Sequence, residues 1–236
     1  MAYTILQTEL ITRKNPDDAA FLQRFFKTGK GEYGEGDLFL GLRVPVVRAL
    51  TKKYVSDLTV RDIQILLNSK WHEVRLSGVV AMTYKYPKAD TATKHALYEL
   101  YARNIGTGIN NWDLVDVSCP HIIGAYLYHK SRDDLYTLAQ GGLWQKRVSI
   151  ISTFNFLRKG EITDTLQLAE ILVQEHHDLL QKAVGWALRE MGKVDDMVLY
   201  SFLDMYAATM PRTMLRYSLE KVPIDKKHYY MSMAKV

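Results

Sequence analysis

A carboxylate and an indole, Asp116 and Trp112, stand four residues apart in the segment NNWDLVDVSCP, residues 110–120. On a helix that spacing puts both side chains on one face. Val115 and Cys119 belong to the same face, which predicts that it points inward. A carboxylate held there beside an indole can serve two ends. It can cap a neighbouring helix from within the core, or it can be a working group that orients water or opposes a cation. Pro120 bears on the choice. A helical N–H at position 120 would bond the carbonyl of residue 116, but proline has no N–H and clashes there, so the helix must bend or restart. The backbone of Asp116 is then partly released at the turn that carries its carboxylate, and strain of that kind gathers at functional sites. From spacing alone both readings stay open.

The other reactive residues offer less. Cys119 is the only cysteine, so no intrachain disulfide can form, which suits a reducing compartment. Set among apolar residues and followed by Pro120, it reads as a buried, inert thiol. No Cys/His pattern has zinc-finger spacing, and the adjacent His176 and His177 would point about 100° apart on a helix. No metal site is expected there. The segment MAYTILQTELITRK lacks the apolar core of a signal peptide, and no apolar run approaches the ~20 residues that span a bilayer. The expectation is a cytoplasmic monomer, associated with the nucleoid if bacterial, with no membrane attachment.

The scaffold that must position these residues reads as helix almost throughout. Apolar residues recur at i, i+3, i+4 and i+7 in 60–69, 73–86, 92–104, 146–159, 165–175 and 181–193. Short breaks such as YPKADT, GTGINN and QGG have the length that joins antiparallel helices. No segment alternates convincingly as a strand would. The exception to regularity is KTGKGEYGEGD, residues 27–37, which holds four of the 14 glycines and reads as a loop. Pro45 then opens a helix in its first turn. With 236 residues, 47% hydrophobic and 24% charged, the chain is expected to form a single domain, 1–236.

The helix pairs repeat. The entries to every second helix align at Arg75, Asn111, Arg147, Lys182 and Arg212, at intervals of 36, 36, 35 and 30 residues. Near-regular pairs of this length are the mark of an all-α solenoid of HEAT-like repeats, here of five or six helix pairs. Equivalent positions in a solenoid share a surface, and four of these five are cationic. Together with the N-terminal ends of their helices they predict a concave basic face, shaped for a phosphate backbone. The net charge of +5 permits such a partner without naming it. Trp71 and Trp144 precede Arg75 and Arg147 at equivalent places and read as repeat-packing residues, whereas Trp112 and Trp186 break the repeat and suit an open surface.

The stretches FLGLRVPVVRAL (39–50), NNWDLVDVSCPHIIGAYL (110–127), LWQKRVSIISTFNFL (143–157), LQKAVGWALREMGK (180–193) and MPRTMLRYSLEK (210–221) together resemble the AlkD-like DNA glycosylases, HEAT-repeat proteins of DNA alkylation repair. The resemblance runs from about residue 15 to 222. It implies an enzyme, using neither metal nor cofactor, that hydrolyses the N-glycosidic bond of purines alkylated at N3 or N7 in duplex DNA. It assigns Asp116 to the family's catalytic aspartate, Trp112 and Trp186 to its two active-site tryptophans, and Arg147 to the arginine beside the lesion's backbone. Two positions depart from the common pattern. Asn111 stands where many members have an aromatic residue, and Arg43, a further candidate for DNA contact, stands where some have an amide.

The residue types suit that chemistry. An N3- or N7-alkylated purine is cationic and leaves without being protonated. The transition state needs stabilisation of the oxocarbenium sugar and water aimed at C1′, both within reach of a fixed carboxylate. Indole faces attract the same developing charge, by ~0.5–2 kcal/mol each when desolvated. Two other readings compete. One is a non-catalytic DNA-binding paralogue for bent or branched DNA, and the other is a HEAT-repeat scaffold for protein partners. Retention of Trp112, Asp116, Arg147 and Trp186 disfavours the first, and steep salt dependence of DNA binding would disfavour the second.

Overall fold

The computed structural model describes residues 1–233, and within them the chain is helical with no β-strand. Two isolated bridges, Leu38 with Trp71 and Ile105 with Ile109, are its only extended pairings there. The chain divides into two compact units, residues 1–126 and residues 127 onward.

The first unit contains α1 (Ala2–Thr12), α2 (Pro16–Phe25), α3 (Val44–Tyr54), α4 (Val60–Leu67), α5 (His72–Lys85), α6 (Thr91–Asn104) and α7 (Trp112–Asp116). A π-helical turn, Pro120–Gly124, leads on to the short α8 (Ala125–Leu127). Local chemistry starts these helices where the sequence signals them. Asn15 caps α2 by accepting the N–H groups of Asp17 and Asp18, and Pro16 fixes the first turn. Thr59 and Asp62 form a reciprocal capping box on α4. Pro45 sits in the first turn of α3, as expected.

The centre of this unit is α5, where every residue from His72 to Met82 is buried. A helix buried on all sides must be surrounded, and α1, α3 and α4 pack against it. The chain crosses closely at Gly41, whose φ is +84° and whose added Cβ would lie 2.2 Å from the Asn15 carbonyl oxygen and 2.6 Å from the Ala19 nitrogen. Gly41→Ala therefore combines a left-handed backbone with a backbone clash, and should lower unfolding stability by roughly 2–4 kcal/mol. Urea unfolding checks this, and a loss under about 1 kcal/mol would contradict it.

The second unit contains α9 (Asp133–Ala139), α10 (Leu143–Ser152), α11 (Phe154–Leu157), α12 (Thr163–Leu172), α13 (Asp178–Gly192), α14 (Asp196–Tyr206), α15 (Arg212–Ser218) and α16 (Ile224–Ser232). Its organising helix is α13, which buries Leu180, Ala183, Val184, Ala187, Leu188 and Met191 at helical spacing. It packs against α10, α12, α14 and α15. Gly185 lets α15 come close, since a Cβ there would lie 2.5 Å from the Met214 carbonyl oxygen. The pairs α4–α5 in the first unit and α9–α10 and α12–α13 in the second realise the repeat read from the sequence, and α14 and α15 both pack against α13. The aligned positions lie at or near the start of α5, α7, α10, α13 and α15. No helix among the described residues is long and apolar enough to cross a membrane.

Candidate active site

The helix α7 is one short turn, capped by Asn111, whose side-chain oxygen accepts the Trp112 N–H at 2.9 Å. Val115 and Cys119 are fully buried, as their face predicted, whereas Trp112 and Asp116 are only half-buried. The difference comes from the break at Pro120. The helix stops at Asp116, residues 117 and 118 form a turn, and the backbone restarts as a π-helix. Asp116 therefore sits at a helix end rather than inside a continuous buried face. It is close enough to the buried Tyr101 for its charge to help hold that phenol's pKa well above the usual value, after burial and the nearby Cys119.

The Trp112 indole stacks on Phe26, with centroids 5.2 Å apart and planes 12° from parallel. Phe25 meets it edge-on at 6.2 Å and stacks in turn on Phe21. Phe21 and Phe25 are 50% and 55% exposed, so the indole continues into an open aromatic ledge on α2.

Beneath this ledge lies a sealed polar cluster. His72 Nδ1 is 2.8 Å from Asp37 Oδ2, and its Nε2 is 2.8 Å from Asp113 Oδ2. Arg75 donates to Asp37 Oδ1 at 2.6 Å, to Asn110 and to the Ser69 carbonyl. Asn111 also reaches Asp37, at 3.4 Å. Burial alone would lower the His72 pKa, but Asp113 and Asp37 outweigh it and raise it to about 9. Burial likewise opposes ionisation of Asp37, yet His72 and Arg75 hold its carboxyl below the usual range. Glu73 serves a separate purpose, accepting the backbone N–H groups of Leu40, Gly41 and Leu42 at 2.7, 2.8 and 3.0 Å.

In the second unit Trp186 is half-buried on α13. Phe154 meets it edge-on at 4.7 Å, and its indole N–H donates to Glu190 at 3.2 Å. Glu190 also receives Lys193 and Arg189. Burial opposes its ionisation, but these donors together with Trp186 keep its carboxyl below the usual range. Phe154, Arg158, Trp186 and Lys193 line an open cavity.

The predicted row of displayed cations needs correction. Arg75 and Arg147 are each only 5% exposed and Asn111 is fully buried. Arg75 is neutralised by Asp37, Asn111 caps α7, and Arg147 donates to the Leu179 carbonyl at 2.5 Å. Charge at a repeated position does not by itself reveal whether a partner waits inside. The remaining two, and the separate candidate Arg43, are more open. Lys182 pairs with Asp178, Arg212 donates to the Met231 carbonyl, and the exposed Arg43 pairs with Asp18. Arg147→Ala should accordingly cost about 1.5–3 kcal/mol of stability, by removing a buried charged donor. Thermal unfolding checks this, and an unchanged midpoint would contradict it.

Sequence reading missed Asp37, His72, Asp113 and the Phe21–Phe25 ledge. The ledge follows from Phe21 and Phe25 at i, i+4, and the cluster from HEVR (72–75) opening a helix otherwise mostly apolar, where each buried polar group must find a partner.

A family model described as DNA alkylation repair enzyme matches residues 6–222, and the chain belongs to that family. It is a family of enzymes that act in the repair of alkylated DNA. Among solved structures, a protein described as a predicted DNA alkylation repair enzyme from Enterococcus faecalis aligns with a TM-score of 0.70 at 16% identity, covering 90% of this chain and 98% of that one. At that identity the likeness shows the shared fold. No curated protein matches the chain.

Proposed function

We propose that the protein is a DNA glycosylase that hydrolyses the N-glycosidic bond of N3- and N7-alkylated purines in duplex DNA. The observation that carries the reading is the composition of α7, which buries Asp113, Leu114 and Val115 while leaving Trp112 and Asp116 partly open. A carboxylate serving only the core would be sealed, as Asp37 and Glu73 are. Family membership adds the substrate class.

In the reaction the bond from C1′ to the purine nitrogen breaks, and its electron pair stays with the base and cancels the base's positive charge. The sugar becomes an oxocarbenium ion facing Asp116, whose carboxylate stabilises it. Water adds to C1′ and gives its proton to that carboxylate or to solvent. Trp112 packs against the sugar and attracts the same charge. On the second unit Trp186, its indole N–H held by Glu190, is the other indole of this reading, and the buried Arg147 acts through its bond to the Leu179 carbonyl. Arg43, Lys182 and Arg212 offer more accessible cations for phosphates, and Arg75 and Asn111 act through the local structure of α5 and α7.

The test is to incubate the protein with methylated duplex DNA, assay released bases, and measure binding to undamaged duplex across a salt series. Release of 3-methyladenine or 7-methylguanine above the spontaneous rate, with binding that weakens steeply as salt rises, is expected. Salt-dependent binding without release would instead identify a non-catalytic DNA-binding protein.

A further inference from the structure

The sealed cluster beneath Trp112 has a geometry that restricts its protonation. Both nitrogens of His72 lie 2.8 Å from carboxylate oxygens, on Asp37 and on Asp113. A neutral imidazole has a single N–H and would turn a lone pair toward one of those oxygens, whereas an imidazolium donates to both. Charge balance agrees. Asp37 and Asp113 face two cations, His72 and Arg75, and removing the imidazolium proton would leave two buried carboxylates against one guanidinium. Glu73, the other acid on this stretch of α5, is turned to the backbone of residues 40–42. The neutral amides of Asn110 and Asn111 face Arg75 and Asp37, and two rings pack against the imidazole. Phe39 stacks on the imidazole at 4.3 Å, and Phe26 lies 5.2 Å from it.

The two carboxylates belong to the pieces that build the Trp112 site. Asp37 closes the glycine-rich loop, and Phe39 follows it by two residues. Asp113 is the second residue of α7, next to Trp112. Phe26, at the other end of the loop, touches both the imidazole and the indole. We infer that His72, as an imidazolium, is the positioning residue of the Trp112–Asp116 helix: it ties Asp37 of the loop to Asp113 of α7 and thereby fixes the plane of the Trp112 indole. The kinetic consequence rests on the glycosylase reading, while the structural one stands apart from it.

The experiment uses the whole protein labelled with 5-fluorotryptophan, the Trp112 fluorine resonance being assigned with Trp112→Phe. Between pH 6 and 8 the resonance should hold still, and it should then move with a midpoint near 9, as the imidazolium loses its proton. In His72→Gln it should be flat over the same range, and in Asp113→Asn the midpoint should fall by at least about one unit, as loss of a neighbouring opposite charge requires. In a single-turnover assay on 7-methylguanine duplex, His72→Asn should release base roughly 10–100-fold more slowly with little change in duplex affinity. His72→Gln should be less impaired, because its amide nitrogen takes the place of Nε2 and keeps the link to Asp113. A Trp112 resonance that does not follow His72 would overturn the inference, as would folded His72 variants that both release base at the wild-type rate. If the wild-type protein releases no base, the glycosylase reading fails and the fluorine titration still decides this one. If the His72 variants do not fold, the wild-type and Asp113→Asn titrations decide it.

Discussion

Asp116→Asn should give a protein that folds and grips duplex DNA but releases 7-methylguanine about 10²–10³-fold more slowly. The amide keeps the size of the side chain and one acceptor oxygen, and Asp116 is half-buried at a helix end rather than sealed. Thermal stability should therefore change little. The charge is lost, and a developing oxocarbenium ion is the species that requires it. A positioned electrostatic group of this kind is worth roughly 3–4 kcal/mol of barrier. Duplex affinity should hold or rise, since a carboxylate near phosphates repels them. A purely structural Asp116 gives the opposite pattern, with lowered stability and normal chemistry. Melting curves, duplex binding and single-turnover base release, measured on one preparation, separate the two.

Glu73→Ala should have the largest effect on stability. The carboxylate is 2% exposed and accepts three backbone N–H groups from the turn Leu40–Leu42. Without it those donors stay buried with no replacement, and each unsatisfied group costs about 1–3 kcal/mol. Partial relaxation of the turn should leave a net loss of roughly 3–5 kcal/mol. For a chain of this size that lowers the melting midpoint by about 10 °C. Glu73→Gln, which restores one acceptor oxygen, should fall between. A midpoint within about 3 °C of wild type for the alanine variant would show that the turn at Gly41 is held by something else.

How far the sequence discloses this protein depends on the range of the interaction. Helices were legible because their signals are local. The apolar period marks α4, α5, α6, α12 and α13, and Pro45 and Pro120 mark a start and a break that the structure contains. The repeat was legible because equivalent residues recur at the heads of α5, α7, α10, α13 and α15. Exposure was less legible. Arg75 and Arg147 share a repeat position with Lys182, and nothing at that position discloses that Asp37 or the Leu179 carbonyl will meet the first two inside. Asp37 lies 35 residues from His72, in a glycine-rich segment with no period to place it. The same limit applies to α7. Spacing put Trp112, Val115, Asp116 and Cys119 on one face, but the helix ends before that face is complete, and Trp112 and Asp116 stay half-buried while Val115 and Cys119 are sealed.

Base release is decided by a defined duplex carrying a single 7-methylguanine. With protein in excess, free base is quantified by chromatography and abasic sites by strand cleavage after alkali. Free 7-methylguanine and abasic sites should appear together in equal amounts, faster than spontaneous depurination and with no added metal. Duplex bound by the protein but losing base only at the spontaneous rate would contradict the glycosylase reading.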